Sequence, residues 1–330
     1  MTAERIAVVG AGICGLSCAR ALVQAGRSVS VFDKARKPGG RMSTRRGPQG
    51  GFDHGAQYFT VRDEHFGAEV DGWRGAGVAA PWTGRIGVAR GGVVTVKDDD
   101  RERWVGTPTM SAIARHLSEG LGVESGVRVQ QVRRQGERWS LSDAHGAAPG
   151  EFEAVVIAVP AEQAVPLLSA APTLAAPAAP VQMDPCWAVM VSLAQPLRVD
   201  AEGLFVHDSP LAWVAHDGSK PGRSGADTWV LHATPQWTHE HWEDDPQAVT
   251  EALLHALAEA TGQAVPAVVC ADHQRWRYAR ADAPLPERCL FDPQLRLGAG
   301  GDWCGGPRVE GAWLSGLALA RALLESGTRA

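Results

Sequence analysis

Residues 5–42 read R-I-A-V-V-G-A-G-I-C-G-L-S-C-A-R-A-L-V-Q-A-G-R-S-V-S-V-F-D-K-A-R-K-P-G-G-R-M. Arg5 to Val9 is a short apolar run that suits a buried parallel strand. Gly10, Gly12 and Gly15 follow in G-x-G-x-x-G spacing. The first lets the chain turn out of the strand, the second lets a ligand approach the backbone, and the third lets a helix pack close to the sheet. Leu16, Ala19, Leu22 and Val23 recur at helical spacing and Gly26 stops that helix. Val29 to Phe32 make a second strand that ends at Asp33.

A strand, glycine turn, helix, strand and terminal acid in this order predict a dinucleotide site. The N–H groups of Ile13, Cys14 and Gly15 open the helix, where its dipole favours a pyrophosphate. Asp33 stands about 20 residues past the glycines, where a carboxylate accepts from a ribose hydroxyl.

Three further stretches say which dinucleotide. They are P-G-G-R-M (38–42), F-D-H-G-A-Q-Y-F (52–59) and G-A-G-G-D-W-C-G-G-P-R-V-E-G-A-W-L-S-G (298–316). With the opening fingerprint, they resemble the flavin-dependent amine oxidase superfamily and, within it, the renalase branch. The resemblance covers both ends of the chain well and the middle poorly. It implies a Rossmann-type FAD-binding domain interleaved with a smaller α+β substrate domain, the amine oxidase and p-hydroxybenzoate hydroxylase architecture, with FAD held non-covalently. Carried onto this chain, the cofactor residues are Gly10, Gly12, Ile13, Cys14, Gly15, Asp33, Lys34, Gly40, Arg41, Met42, Ala56, Gln57, Val129, Gly301, Asp302, Val309, Glu310 and Ala312. Arg41 is expected on a phosphate. Gly301 and Asp302 are expected along the ribityl–pyrophosphate stretch. Val309 to Ala312 open a helix whose N-terminus points at the flavin pyrimidine ring. Glu310 would oppose negative charge there, so its side chain is expected to point elsewhere, as a cap. Val129 either pairs with adenine through its backbone or is plain core.

At 330 residues the chain can bury a large core, and its net charge of −5 argues against nucleic acid. The six cysteines form no C-x-x-C pair, which suits a reducing compartment. Neither a signal peptide nor a membrane span is read, so a cytoplasmic protein is expected. The FAD domain is expected to comprise 1–70, 106–168 and 275–330, and the substrate domain 71–105 and 169–274. A strand is expected from Phe52 to Thr60, and small strands from Asp71 to Asp100 with an acidic turn at Asp98–Asp100. A helix is expected to start at Thr107-Pro108 and a strand to carry Val127, Val129 and Val132. The Ala/Pro-rich stretch 170–180 reads as a linker.

The resemblance implies oxidation of dihydro isomers of NAD(P)H, reduced at the 2 or 6 position, to NAD(P)+, with O2 taken to hydrogen peroxide. Losing hydride restores an aromatic ring, so that chemistry needs positioning within about 3–3.5 Å and no general base. Gln57, Tyr58 and His232 are the candidate catalytic residues. Arg277 is a candidate for a substrate phosphate, against surface pairing. An amine oxidase or desaturase is the alternative. The four lysines are Lys34, Lys37, Lys97 and Lys220, none in a matching catalytic motif, which weakens an amine reading. A flavin-binding protein without turnover is the third reading. His239, His241, Glu240 and Glu243 read as a solvated loop, and no metal is expected.

Overall fold

The computed structural model describes residues 4–327 except 99, 145, 147–149 and 224. The opening unit forms as β1 (Arg5–Val9), α1 (Ile13–Gln24) and β2 (Ser28–Asp33). A 3-10 turn at Gly40–Met42 leads to the small hairpin β3 (Arg45–Gly47) and β4 (Gly50–Phe52). The strand expected to run to Thr60 stops at Phe52. Beyond it the backbone is irregular, with one bridge between Phe59 and Trp104. α2 (Glu64–Gly75) then takes residues 71–75 from the expected strand region. Asp63 caps it by accepting from the N–H of His65 and Phe66, and Phe66, Val70 and Trp73 form its buried face.

β5 (Ala79–Pro81), β6 (Ile86–Arg90), β7 (Val93–Val96) and β8 (Trp104–Gly106) follow. Of the expected acidic turn, Asp98 and Asp100 are exposed on irregular backbone, while Asp99 lies outside the described residues. α3 (Ser111–Ser118) begins later than the sequence signal at Thr107-Pro108 implies, and the bond between those two residues is a cis peptide. β9 (Gly122–Ser125), β10 (Gln131–Gln135), β11 (Arg138–Ser142), β12 (Glu151–Phe152) and β13 (Ala154–Ile157) come next. Val127 and Val129 lie in the loop before β10, and only Val132 is on the strand.

The expected linker at 170–180 is instead largely helix. After α4 (Ala161–Leu167), α5 (Pro172–Ala178) starts on Pro172 and buries Leu174 and Ala178. Proline suits a first helical turn, and the small alanines let the segment lie close to the sheet. β14 (Met183–Leu193), β15 (Gly203–Val206), β16 (Leu211–His216) and β17 (Thr228–Ala233) follow expectation. α6 (Pro235–Glu240) contains His239 and Glu240, which read as loop. α7 (Pro246–Thr261) is capped by Asp245 and ended by left-handed Gly262. β18 (Val268–Ala281), β19 (Leu290–Asp292), β20 (Leu297–Ala299) and α8 (Val309–Ser326) complete the chain.

The fold is α/β with a Rossmann-type nucleotide sheet. Its order is β19-β20-β13-β1-β2-β9, parallel except for the β19–β20 pair. A second sheet runs β18-β14-β17-β16-β15-β6-β7 and is antiparallel apart from β15–β6. The division expected between residues 274 and 275 falls inside β18, and that between 70 and 71 falls inside α2.

Strand β1 sits at the middle of the nucleotide sheet because Ile6, Ala7 and Val8 are wholly buried between two apolar layers. The N-terminal helix α1 packs on the C-terminal helix α8. Ser17 Oγ donates to Cys14 O at 3.0 Å and to Trp313 O at 3.2 Å. A Cβ on Gly316 would collide with the backbone carbonyl of Cys14 and with Ser17 Oγ, so this contact requires glycine. Gly316→Ala is expected to cost about 1–3 kcal/mol in urea denaturation by overpacking. Gly72→Ala on α2, where an added Cβ meets nothing within 4 Å, is expected to gain about 0.5–1 kcal/mol in the same assay.

Candidate active site

The turn between β1 and α1 is built as an anion cradle. The first backbone bond of α1 runs from Leu16 N–H to Gly12 O (2.9 Å), so the N–H groups of Ile13, Cys14 and Gly15 have no partner within the helix. A Cβ placed on Gly12 would meet nothing within 4 Å, which leaves open space above this N-terminus. Asp33 accepts from Ala11 N–H (2.6 Å) and Ala35 N–H (2.7 Å). These bonds fix its carboxylate beside the glycine turn and leave lone pairs for a hydroxyl. Lys34 turns away, toward Gln163 Oε1 (3.3 Å).

The second glycine turn docks on the first. Gly39 N–H donates to Ala11 O (2.8 Å), and Ala56 N–H donates to Arg41 O (2.8 Å). The Arg41 guanidinium forms a bidentate pair with Asp302 at 2.8 and 2.6 Å and donates to Ala279 O at 2.9 Å. Asp302 is buried, and Gly301 N–H before it donates to Ser315 Oγ (2.9 Å) on α8. Met42 is buried beneath the turn. The N–H groups of Val309, Glu310 and Gly311 open α8, whose first bond is Ala312 N–H to Arg308 O (2.9 Å). The buried Glu310 side chain accepts from the N–H of Arg62 (2.6 Å) and Asp63 (2.8 Å), capping the approach to α2. Val129 is partly buried against the core cluster under β10 and β11.

Thus the glycine fingerprint, the 39–42 turn, Gly55-Ala56 and the loop that enters α8 are brought together. The donor set fits the ADP half of a dinucleotide, with open helix N-termini for phosphate, an acid for ribose and a guanidinium beside them.

Gln57 sits at the junction of the two sheets, buried at 6 % exposure. Its Nε2 donates to Asp53 O and to Gly55 O (3.1 Å), and its Oε1 accepts from Lys220 Nζ (3.3 Å). The Tyr58 ring lies 5.4 Å from that of Trp213 and 6.3 Å from that of Trp82, with the Arg103 guanidinium over it at 5.6 Å. His232, from β17, has Nε2 3.1 Å from His54 O, an oxygen that also accepts from Trp276 Nε1 (2.9 Å). The three candidates therefore converge on residues 53–58.

Arg277 does not join them. Strand alternation puts it on the exposed face of β18, where its guanidinium and that of Arg275 both lie 5.3 Å over Trp242. Trp303 is core and donates to Val159 O (3.0 Å). Cys304 is buried, and desolvation pushes its thiol well above the ordinary range. His241 pairs with Asp244 at 2.7 Å, and no group of three or more metal-ligating side chains occurs among the described residues.

A buried charge quartet was missed by the sequence reading. Lys220 Nζ lies 2.6 Å from Asp217 Oδ1 and 3.6 Å from Asp53 Oδ2. Arg223 pairs with Asp53, and its Nε lies 3.7 Å from Asp217 Oδ2. Asp53 also accepts from Thr44 Oγ1 (2.6 Å) and Met110 N–H (3.0 Å). Two positive and two negative groups balance, which is how the interior tolerates them. Burial alone would raise the Asp53 pKa, but Lys220, Arg223 and its hydrogen bonds together bring it below the usual carboxylate range. For Asp217, burial wins over the attraction of Lys220, and its pKa is raised. Lys220 and Arg223 stand in a polar, glycine-rich stretch (H-D-G-S-K-P-G-R-S-G-A-D, 216–227), which gives no local signal of a buried charge pair.

The Rossmann-type sheet with its glycine turn between β1 and α1 is the fold of a dinucleotide-binding protein. The description "Flavin containing amine oxidoreductase" matches residues 82–324, and that of an NAD(P)-binding Rossmann-like domain matches residues 8–68. The chain belongs to the flavin containing amine oxidoreductase family, and its cofactor is non-covalently bound FAD. Solved structures agree in fold. Cyclohexylamine oxidase from Brevibacterium oxydans IH-35A superposes with a TM-score of 0.78 at 15% identity, covering 99% of this chain and 100% of that one. A protein from Exiguobacterium sp. 255-15 described as a protoporphyrinogen oxidase gives 0.79 at 12% identity, covering 98% and 100%. Putrescine oxidase bound to putrescine gives 0.72 at 16% identity, covering 98% and 99%. No helix among the described residues is long and apolar enough to cross a membrane.

Two outcomes follow from the charges. Burial pushes the pKa of His54 and of His232 down from 6.5 to about 4. Between these values the unfolded state binds more protons, so stability falls as pH drops from 6.5 toward 4. The loss is about 3 kcal/mol per histidine. Urea midpoints measured across that window should fall, and less steeply in His232→Gln. Lys220→Met leaves two buried carboxylates on one guanidinium and should cost about 3–5 kcal/mol in the same measurement.

Proposed function

We propose that this protein is a renalase-like FAD oxidase that converts 2- or 6-dihydro isomers of NAD(P)H to NAD(P)+ and reduces O2 to hydrogen peroxide. In balance, one dihydropyridine, one O2 and one proton give one NAD(P)+ and one H2O2. FAD supplies hydride acceptance and the passage of both electrons to oxygen.

The chain's own residues take the following roles. Gly10, Gly12, Ile13, Cys14 and Gly15 hold the pyrophosphate, and Asp33 holds the adenosine ribose. Lys34 and Val129 flank the adenosine end. Gly40, Arg41, Met42, Gly301 and Asp302 line the central stretch. Ala56 and Gln57 border the ring system, and Val309, Glu310 and Ala312 contribute the helix start. The Rossmann sheet forms the FAD domain and the antiparallel sheet carries the substrate domain. The six free cysteines suit a cytoplasmic setting.

The observation that carries the choice of donor is the state of Lys220. It is the lysine that reaches Gln57, yet its ammonium is tied between Asp217 and Asp53. His54 and His232 are weak bases, held down by burial. An amine donor is cationic at neutral pH and must shed a proton before it gives up hydride. A dihydropyridine sheds none, because hydride loss itself restores aromaticity. Gln57, Tyr58 and His232 then position the ring and exclude water, and no proton has to move through them.

The second reading, an amine oxidase, draws on the Tyr58, Trp82 and Trp213 rings beside Gln57. Anaerobic mixing of the yellow protein with donors separates the two. Flavin absorbance should bleach rapidly with borohydride-generated NADH isomers, and far more slowly with ordinary NADH or with amines. Bleaching by amines alone would sink the dihydro-NAD(P) reading.

A further inference from the structure

Three consecutive carbonyl oxygens of the segment before Tyr58 are taken up by side chains. Those of Asp53 and Gly55 accept from Gln57 Nε2, the second at 3.1 Å. The oxygen between them, His54 O, meets two donors at once, His232 Nε2 at 3.1 Å and Trp276 Nε1 at 2.9 Å. A carbonyl only accepts, so the proton of the His232 ring sits on Nε2, and the two donors fill both lone pairs of that oxygen.

His232 and Trp276 come from different strands of the second sheet. β17 pairs with β14 at His232↔Ala188, and β18 pairs with β14 at Trp276↔Cys186. Positions 186 and 188 share one face of β14, so both rings stand on the face of the sheet that meets His54. The opposite side of the segment rests on the second glycine turn. Ala56 N–H donates to Arg41 O (2.8 Å), and a Cβ on Gly55 would collide with that same oxygen. The peptide between His54 and Gly55 is trans, so its N–H points opposite to its carbonyl. With the oxygen held to the second sheet, the Gly55 N–H is turned away from it, to the side of the Arg41 turn. Among the described residues, neither this N–H nor that of the buried Gln57 has a hydrogen-bond partner. A buried N–H left unpaired by protein is satisfied by water or by a ligand.

We propose that His232 and Trp276 are positioning residues, which pin the His54 carbonyl to the second sheet and so present the N–H groups of Gly55 and Gln57 to the polar edge of the bound flavin ring. The proposal rests on the reading that places Ala56 and Gln57 along that ring, and it is independent of which donor is oxidised. Backbone donors fixed in advance stabilise the electron density that the ring gains on two-electron reduction, so the clamp raises the midpoint potential. His232 thereby acts through a backbone carbonyl, and Trp276 shares that role.

The test measures the midpoint potential of FAD-loaded protein by dye equilibration, with the visible flavin spectrum and urea midpoints alongside. His232→Phe and Trp276→Phe each remove one donor, and the second keeps an aromatic ring beside His54, whose ring centroid is 5.1 Å from that of Trp276. Each should weaken stabilisation of the reduced ring about tenfold, a shift of about 30 mV to more negative potential for two electrons, and should alter the spectrum. His232→Gln, whose amide can donate to the same oxygen, should recover part of the shift. Val189→Ala, buried on the opposite face of β14, is the control for lost packing. It should lower the urea midpoint and leave potential and spectrum unchanged. Potentials unmoved in both phenylalanine variants, or moved equally by Val189→Ala, overturn the clamp even where dihydro isomers bleach the flavin. A phenylalanine variant that sheds its flavin while resisting urea at least as well as Val189→Ala upholds it. Shifted potentials without bleaching by any isomer keep the clamp and overturn the donor reading.

Discussion

Arg41 and Asp302 stand 261 residues apart in sequence and meet in a bidentate ion pair at 2.6–2.8 Å. The pair ties the second glycine turn to the loop that enters α8. The packing of α1 on α8 is a second tie between the two ends of the chain. Asp302 is buried and Arg41 only partly so, so the carboxylate has given up most of its water for the guanidinium and depends on it. Each end of the chain supplies half of the candidate cradle. This is why the nucleotide sheet takes strands from residues 5–33, 122–157 and 290–299 while the second sheet is threaded between them.

The parts of this arrangement governed by local rules could be read from sequence. The β1–α1–β2 unit announces itself because glycine spacing, helical periodicity and a terminal acid are all short-range signals. The same holds for α7, with Asp245 ahead and Gly262 behind. Misreadings fall where tertiary contacts decide. Residues 172–178 look like a linker by composition, yet Leu174 and Ala178 find a core surface and the segment becomes helix. Residues 53–60 have alternation enough for a strand, but their hydrogen bonds go to side chains and distant loops instead of to a ladder. Val129 lies in a loop for a similar reason, since β10 takes up its register with β11 only from Gln131.

The charge quartet marks the limit most clearly. Asp53 and Lys220 are separated by more than half the chain, and neither has a local pattern that calls for a partner. Once folded, Asp53, Asp217, Lys220 and Arg223 neutralise one another out of contact with solvent, and they hold the 53–58 segment against the second sheet. Lysine is scarce in this chain, and this one is spent on structure beside the candidate reacting position. A buried ion network of this sort adds little net stability compared with apolar packing, but losing a single member is costly. Its use here is to fix the Gln57 amide, whose oxygen faces Lys220 and whose nitrogen faces backbone carbonyls. The candidate reacting region is thus polar but poor in mobile protons, which suits the proposed hydride donor.

The most direct measurement is the flavin content of the purified protein. Acid or heat treatment should release about one equivalent of FAD per chain into the soluble fraction, leaving colourless polypeptide. Arg41→Ala and Asp302→Ala should each lower the amount retained through gel filtration. A protein that emerges colourless, and that takes up no yellow colour when incubated with excess FAD, would contradict the account at its root.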